Sequence, residues 1–135
     1  MQEDMIVYTG SSGVLSLPDS KYRSIPIYLT TVEESGGTVS KIPVPSIMWK
    51  VVKSQKTNAA IVFVQHNNPF LDETTISDRL CDDPTHCAKY GYVIKQFNDV
   101  SRGYTYCCTV DEFSSRLPNI IPANAKAANV LRGPK

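Results

Sequence analysis

Four cysteines are the residues whose type and spacing most directly suggest chemistry. They are Cys81, Cys87, Cys107 and Cys108, an even set confined to the C-terminal half of the 135-residue chain. A bond between the two adjacent cysteines is disfavoured, because it strains its own peptide and neighbouring strand residues point to opposite faces. Two pairings stay open, and in both the first two cysteines are tied to the adjacent pair. Each bond closes a loop of about 20–27 residues and stabilises the fold by on the order of 3 kcal/mol in the chain-entropy model.

A zinc site on the same cysteines, completed by His86, is the alternative interpretation. Neither the five residues between Cys81 and Cys87 nor the adjacent pair has a zinc-finger spacing. Disulfides are therefore favoured, and they persist in oxidising compartments. We accordingly expect an extracellular protein, although residues 1–5 are acidic and lack the basic start of a signal peptide.

Lysines without neighbouring acids are the second chemical signal. Residues 35–71 contain Lys41, Lys50, Lys53 and Lys56 but no aspartate or glutamate, in a chain whose net charge is +1. A polyanion can lie along such a segment without meeting a carboxylate from it. Lys50 and Lys53 are therefore the predicted nucleic-acid-binding residues, and four solvated lysines on an ordinary surface are the alternative.

Two histidines and several aspartates are weaker candidates. His66 precedes Asn67 at the end of a predicted strand, which allows either a rebuilt catalytic His–Asn pair or a polar residue at a strand end. The polar strand end is the simpler interpretation. Asp78, Asp82 and Asp83 have no calcium-loop spacing, which favours a solvated acidic loop. No catalytic and no metal-binding residue is predicted in this chain.

Strand signals dominate the elements that must position these side chains. The apolar runs 47–53 and 59–64 flank a polar stretch of turn length, which predicts an antiparallel hairpin. Alternation along the first strand places Lys50 and Lys53 on opposite faces. Since neither face is cleanly polar, at least one lysine is expected to lie with its stem over packed surface.

The rest of the chain completes an α+β prediction, mostly antiparallel sheet with one clear helix. Apolar residues recur at helical spacing over 110–117, and Pro118 ends that helix. A loop is predicted over 65–89, whose length of ~25 residues indicates a disulfide tie or a functional role. The tail 119–135 is expected to be frayed. The length fits a single domain over 1–135, and no apolar run reaches the roughly 18 residues of a membrane span.

Five segments, taken in order, resemble arthropod DNA/RNA non-specific endonucleases. They are Lys41-Ile42-Pro43-Val44-Pro45, Trp49-Lys50-Val51-Val52, Ile61-Val62-Phe63-Val64 with Asn67-Asn68-Pro69, Leu80-Cys81-Asp82-Asp83, and Gly103-Tyr104-Thr105-Tyr106-Cys107-Cys108-Thr109-Val110-Asp111. The resemblance covers residues 41–118, and Val7-Tyr8-Thr9-Gly10 is similar to a core strand of the same fold. It implies the C-terminal part of a ββα-metal (His-Me finger) nuclease fold and secreted enzymes that cleave DNA and RNA with Mg²⁺.

The resemblance also implies that the catalytic residues are missing here. The family's Asp-Arg-Gly-His signature supplies the general base, a following helix supplies a metal-ligating asparagine, and both precede the strand that residues 7–10 resemble. The nearest string, Ser101-Arg102-Gly103-Tyr104, has tyrosine in place of the base, and the phenol of tyrosine, with an unperturbed pKa of about 10, is in general a poor base at neutral pH. We therefore expect DNA and RNA binding without sequence preference, no cofactor in this chain, no membrane, and no cleavage by the chain alone.

Two alternatives to a nuclease fragment remain at this point. One is a non-catalytic nucleic-acid-binding protein, and the other is a partner-binding protein derived from a nuclease scaffold. For a fragment, the missing N-terminal half of the nuclease domain is the expected protein partner.

Overall fold

A central sheet organises the chain in the computed structural model, which describes residues 3–71, 80, 81 and 86–134, with the side chain of His86 left out. The strands of the described residues are β1 (Met5–Ser12), β2 (Ser16–Pro18), β3 (Ser24–Pro26), β4 (Tyr28–Glu34), β5 (Gly37–Pro43), β6 (Ile47–Ser54), β7 (Ala59–His66), β8 (Thr105–Cys108) and β9 (Asn129–Val130). Their helices are α1 (His86–Lys89) and α2 (Val110–Arg116), with 3-10 turns at Lys95–Asn98, Val100–Arg102 and Ala123–Ala125. This mostly antiparallel architecture with one clear helix confirms the predicted α+β class.

The central sheet has the order β1-β6-β7-β8, with antiparallel neighbours, and β9 adds to β7 in parallel. The predicted hairpin is its centre, since β6 pairs with β7 from Ile47↔His66 to Ser54↔Ala59. Smaller two-stranded ribbons are formed by β2 with β3 and by β4 with β5. The described helices include none that is long and apolar enough to cross a membrane.

One face of the sheet, here called the helix face, carries the larger apolar core. Val51, Val62 and Val64 are completely buried there, beside Trp49 and under Phe113 of α2. Trp49 and Phe113 lie 5.7 Å apart between ring centroids. The Trp49 ring lies directly against the backbone of Gly10, so that a side-chain carbon at this position would overlap the ring.

Helix α2 begins with a capping box that the sequence encodes. The Thr109 hydroxyl accepts a hydrogen bond from the backbone N–H of Glu112, and the Glu112 carboxylate accepts one from the backbone N–H of Thr109. Asp111 and Glu112 in the first turn and Arg116 in the last complement the helix dipole. The predicted helix is therefore confirmed.

The opposite face, here called the groove face, is only partly covered. Ile61 and Cys107 are completely buried there, with Phe63 packed beside them. Phe63 contacts Tyr92 and Phe97 at centroid distances of 5.2 and 6.0 Å. The chain after α1 thus covers one end of this face, and the end formed by β1 and the start of β6 stays open.

Two disulfides fasten the two faces, and they resolve the pairing that the sequence left open. Cys81 bonds Cys108 on the helix face, with 5.5 Å between their Cα atoms, and Cys87 bonds Cys107 on the groove face, with 4.9 Å. Since the adjacent cysteines of β8 point to opposite faces, each bond holds a different covering segment. The described cysteines include no free thiol, so the alternative zinc site on these residues is wrong.

The segment after α2, for which the sequence predicts a frayed tail, contacts the central sheet and its core. Ala125 is completely buried in the helix-face core, and β9 is hydrogen-bonded to the start of β7. The Leu131 backbone N–H also donates to the Ala60 carbonyl at 3.0 Å. This segment contains few strong apolar residues, so its order comes from tertiary contacts that local propensity does not encode.

Candidate nucleic-acid-binding surface

An open groove of about 750 Å³ lies on the groove face, and it is called the sheet groove below. Its walls include Thr9, Ser11, Met48, Lys50, Phe63, Gln65, Ile94, Phe97 and Thr105. The side chains come from β1, β6, β7 and β8, because alternate residues of paired strands project to the same side. The chain around Ile94 and Phe97 closes one wall.

Lys50 is the cation of the sheet groove. It is exposed on β6, directly between Thr9 of β1 and Phe63 of β7. Within the described residues its ammonium has no hydrogen bond or ion pair to the protein, and no carboxylate lines the groove. A lysine so placed presents three N–H donors to an incoming anion. The structure therefore places Lys50 in an open groove, and its role in nucleic-acid binding stays a prediction.

Lys53 lies on the other face and has a different environment. Its ammonium donates to the backbone carbonyls of Asn124 and Lys126, at 2.8 and 2.6 Å. These contacts hold the segment after α2 against β6. Lys50 and Lys53 thus lie on opposite faces of the sheet, which is what the alternation of strand residues predicts. The role of Lys53 in binding stays a prediction.

A second cavity of about 320 Å³ adjoins the sheet groove and shares Met48 and Gln65 with it. Its further lining residues are His66, Asn67, Asn68, Pro69, Ser101, Arg102 and Gly103. The Gln65 amide N–H donates to the Arg102 carbonyl at 3.1 Å, so this side chain connects β7 to the following loop. The two cavities therefore form neighbouring parts of one surface.

His66 and Asn67 in this second cavity are held by the fold. The His66 side chain is only 7% exposed, and its ring lies 6.3 and 5.6 Å from the rings of Tyr104 and Tyr106. The Asn67 amide donates to the Pro45 carbonyl at 3.0 Å. These contacts are those of a residue pair that closes a strand end, which is the simpler of the two interpretations drawn from the sequence.

Arg102 is a cation that the sequence argument did not select. It is exposed and pairs with Asp99 at 3.2 Å between Nε and Oδ2. The pKa of Asp99 is lowered, first by the Ser101 hydroxyl that donates to it and also by the charge of Arg102. In the sequence, Arg102 belongs to the string Ser101-Arg102-Gly103-Tyr104, which resembles a catalytic signature that lacks its base. Arg102 lies next to Gln65 because the turn before β8 folds back onto β7. No local sequence pattern predicts this contact.

The described residues offer no donor set for a divalent cation. Among them there is no group of three or more histidine, cysteine, aspartate or glutamate side chains arranged to hold a metal ion. Asp78, Asp82 and Asp83 lie outside the described residues. Mg²⁺ is coordinated octahedrally and is usually bound through carboxylates and waters. The described part of the chain does not fit such an ion.

Comparison with known proteins assigns the chain to a family. A model of the DNA/RNA non-specific endonuclease family matches residues 1–113. The chain therefore belongs to the DNA/RNA non-specific endonucleases, which confirms the resemblance seen in the sequence.

Several curated relatives agree with the family match. The chain is 34% identical over 135 residues to a salivary endonuclease of Lutzomyia longipalpis, covering 98% of this chain and 30% of that protein. It is 30% identical over 112 residues to a salivary endonuclease of Culex quinquefasciatus, covering 82% and 28%. It is 32% identical over 89 residues to salivary protein Tsal2A of Glossina morsitans morsitans, covering 66% and 22%. The chain thus spans less than a third of the length of these relatives, and no solved structure matches it.

Proposed function

We propose that this chain is the substrate-holding C-terminal part of a secreted endonuclease that acts on DNA and RNA without sequence preference. The observation that carries the proposal is Lys50, an unpaired cation in a groove whose described lining has no carboxylate. The family supports nucleic acid as the substrate, and two disulfides with salivary relatives support an extracellular location.

The proposed contribution of the chain is to hold the phosphate backbone. Lysine contacts to phosphate carry no base information, so DNA and RNA are bound alike and every sequence is accepted. Such contacts release counterions, which makes binding weaken as salt rises. Lys50 supplies one contact from β6, and Arg102 supplies a second from the loop beside Gln65.

The chain alone is proposed not to cleave. Phosphodiester hydrolysis requires a base to generate the nucleophile and, in the resembled family, a metal ion to stabilise developing charge. His66 is packed against two tyrosines, and the described residues form no metal site. In the resembled family the base and the metal ligand lie N-terminal to the strand that residues 7–10 resemble. That region is the proposed partner, either in the same polypeptide or as a second chain.

A binding experiment with charge variants tests the proposed function. Fluorescence anisotropy of labelled DNA and RNA duplexes is measured between about 50 and 200 mM salt, a range over which two phosphate contacts should weaken binding roughly tenfold. Lys50→Ala is expected to weaken both duplexes and to reduce the salt slope by about 1. Lys56→Ala is the matched control, because Lys56 lies on the exposed turn between β6 and β7, outside the groove.

A cleavage experiment tests the second half of the proposal. Plasmid DNA and RNA are incubated with the 135-residue chain in Mg²⁺ or in EDTA, with and without the N-terminal region of a longer relative. Cleavage is expected only when that region is present. Cleavage by the chain alone that EDTA abolishes and His66→Ala removes would contradict the proposal and would assign catalysis to His66.

A partner-binding protein is the second candidate, and the ribbon formed by β4 and β5 favours it. Leu29 and Ile42 on this ribbon are 73% and 59% exposed. Apolar side chains on an exposed two-stranded ribbon are typical of a surface that another protein covers. Absence of any salt-dependent binding to DNA or RNA would favour this candidate.

A further inference from the structure

The sheet groove contains more apolar surface than phosphate binding requires. Met48 and Ile94 are 40% and 45% exposed, and both line the groove. Phe63 and Phe97 stand in the same wall with their ring centroids 6.0 Å apart. Phosphates and sugars of a duplex backbone do not bury such side chains, so Lys50 alone leaves the apolar wall without an explanation.

An unpaired base matches this wall in chemistry and size. In a duplex the flat apolar faces of the bases are covered by their neighbours, whereas in a single strand they are available to aromatic and apolar side chains. The groove volume of about 750 Å³ lies within the range of roughly 300–1,000 Å³ that is usual for small-molecule sites. A single nucleotide therefore fits, with its base on the wall and its phosphate at Lys50.

The polar rim of the groove suits a base of any identity. Thr9 and Ser11 line it from β1, and a hydroxyl both donates and accepts hydrogen bonds. The amide nitrogen of Gln65 already donates to Arg102 and leaves the side-chain oxygen as an acceptor. Rotatable hydroxyls give little discrimination among bases, which agrees with a family named for non-specific cleavage.

We propose that the sheet groove binds an unpaired nucleotide of single-stranded DNA or RNA, stacking its base on the wall that contains Phe97 and Met48 while Lys50 holds its phosphate. The inference rests on the proposed function, because it names the form of nucleic acid that the same surface takes. The neighbouring cavity with Arg102 shares Met48 and Gln65 with the groove, and it receives the next phosphate of the strand.

An oligonucleotide pair separates base binding from phosphate binding. Twelve-residue oligothymidylate and an abasic strand of equal length carry the same phosphates, but only the first has bases. The full chain is expected to bind oligothymidylate about tenfold more tightly, since stacking of one base commonly contributes that much. Phe97→Leu, which removes the ring and keeps an apolar side chain, is expected to reduce the preference to about twofold or less.

Two variants control this measurement. Lys50→Ala is expected to weaken both strands equally, because it removes only a phosphate contact. Phe70→Leu is the matched control for Phe97→Leu, since Phe70 is 74% exposed and lies outside the groove lining. Phe97→Leu can also impair folding, which a lowered melting temperature would reveal. In that case Met48→Ser tests the same wall, because Met48 is exposed and its substitution disturbs the fold less.

The outcomes distinguish the inference from the function on which it rests. Equal binding of both strands by the full chain overturns base stacking and leaves phosphate binding intact. A preference that persists in both Phe97→Leu and Met48→Ser overturns the assignment to this groove. Failure to bind either strand overturns the proposed function together with the inference.

Discussion

The two faces of the central sheet are built from the same strands but are covered to different extents. On the helix face, α2 and the segment after it enclose Trp49 and the completely buried valines. On the groove face, the chain after α1 covers Ile61 and leaves Lys50 in an open groove. The two lysines of β6 follow this division, since Lys53 is held by carbonyls of the covering segment. The environment of a charged residue is thus decided by what crosses its face of the sheet.

Truncation of the helix-face core is expected to have the largest effect. Phe113→Ala removes a completely buried ring that contacts Trp49, and it should lower the free energy of unfolding by about 3–5 kcal/mol. Phe97→Ala, on the half-covered groove face, should lower it by less. Urea denaturation followed by tryptophan fluorescence measures both. Equal losses would contradict the difference between the faces.

Removal of one disulfide at a time should have the next largest effect. Cys81→Ser with Cys108→Ser opens a loop of 27 residues, and Cys87→Ser with Cys107→Ser opens one of 20. Each double variant should lose about 3 kcal/mol in the chain-entropy model. Only the second should also weaken oligonucleotide binding, because it releases the covering segment of the groove face. Thermal melting and anisotropy on the same samples check this, and reduced binding by both variants would disprove it.

The two lysines of β6 should separate stability from binding. Lys53→Ala removes two hydrogen bonds to carbonyls, and it should cost about 1 kcal/mol of stability because the ammonium is partly exposed. Lys50→Ala should change stability by less than about 0.5 kcal/mol and should weaken binding. If Lys53→Ala weakened binding as much as Lys50→Ala does, both lysines would contact the nucleic acid, and the proposed separation of their roles would be wrong.

The smallest expected effect concerns pH at the edge of the second cavity. The pKa of Asp99 is lowered by the Ser101 hydroxyl and by Arg102, so the folded state favours the charged carboxylate. This small stabilisation is present above the unfolded pKa of about 3.9 and is lost as the pH falls through the lower folded value. Carboxyl NMR titration should show the lowered pKa in the parent chain and an upward shift in Ser101→Ala. An unchanged titration curve in that variant would show that the hydroxyl does not set the pKa.

The parts of the fold that local pattern encodes were predictable. The β6–β7 hairpin follows from two apolar runs with a turn between them, and α2 follows from apolar spacing with acids in its first turn. The tie between the two pairs of cysteines also followed, because adjacent strand residues point apart. The choice between the two pairings required knowing which face each covering segment crosses.

The features that sequence reasoning missed all depend on distant chain segments. Strand β9 has two residues and pairs in parallel with the start of β7, so neither length nor periodicity indicates it. The apolar wall of the sheet groove brings Met48 of β6 next to Ile94 and Phe97, and Met48 is far in sequence from both. A weak signal existed in Val93 and Ile94, an apolar pair directly before Lys95.

The adjacent cysteines of β8 also constrain how the oxidised protein matures. In an unfolded chain the two thiols are neighbours, and a disulfide oxidant can couple Cys81 to either of them through a mixed disulfide with similar ease. Only after β8 has aligned with β7 does Cys108 turn towards Cys81 and Cys107 towards Cys87. The native disulfide pairing therefore depends on the correct alignment of β8 with β7. Oxidation that precedes this alignment yields crossed isomers, and thiol–disulfide exchange must reshuffle them through mixed disulfides before the native protein can form.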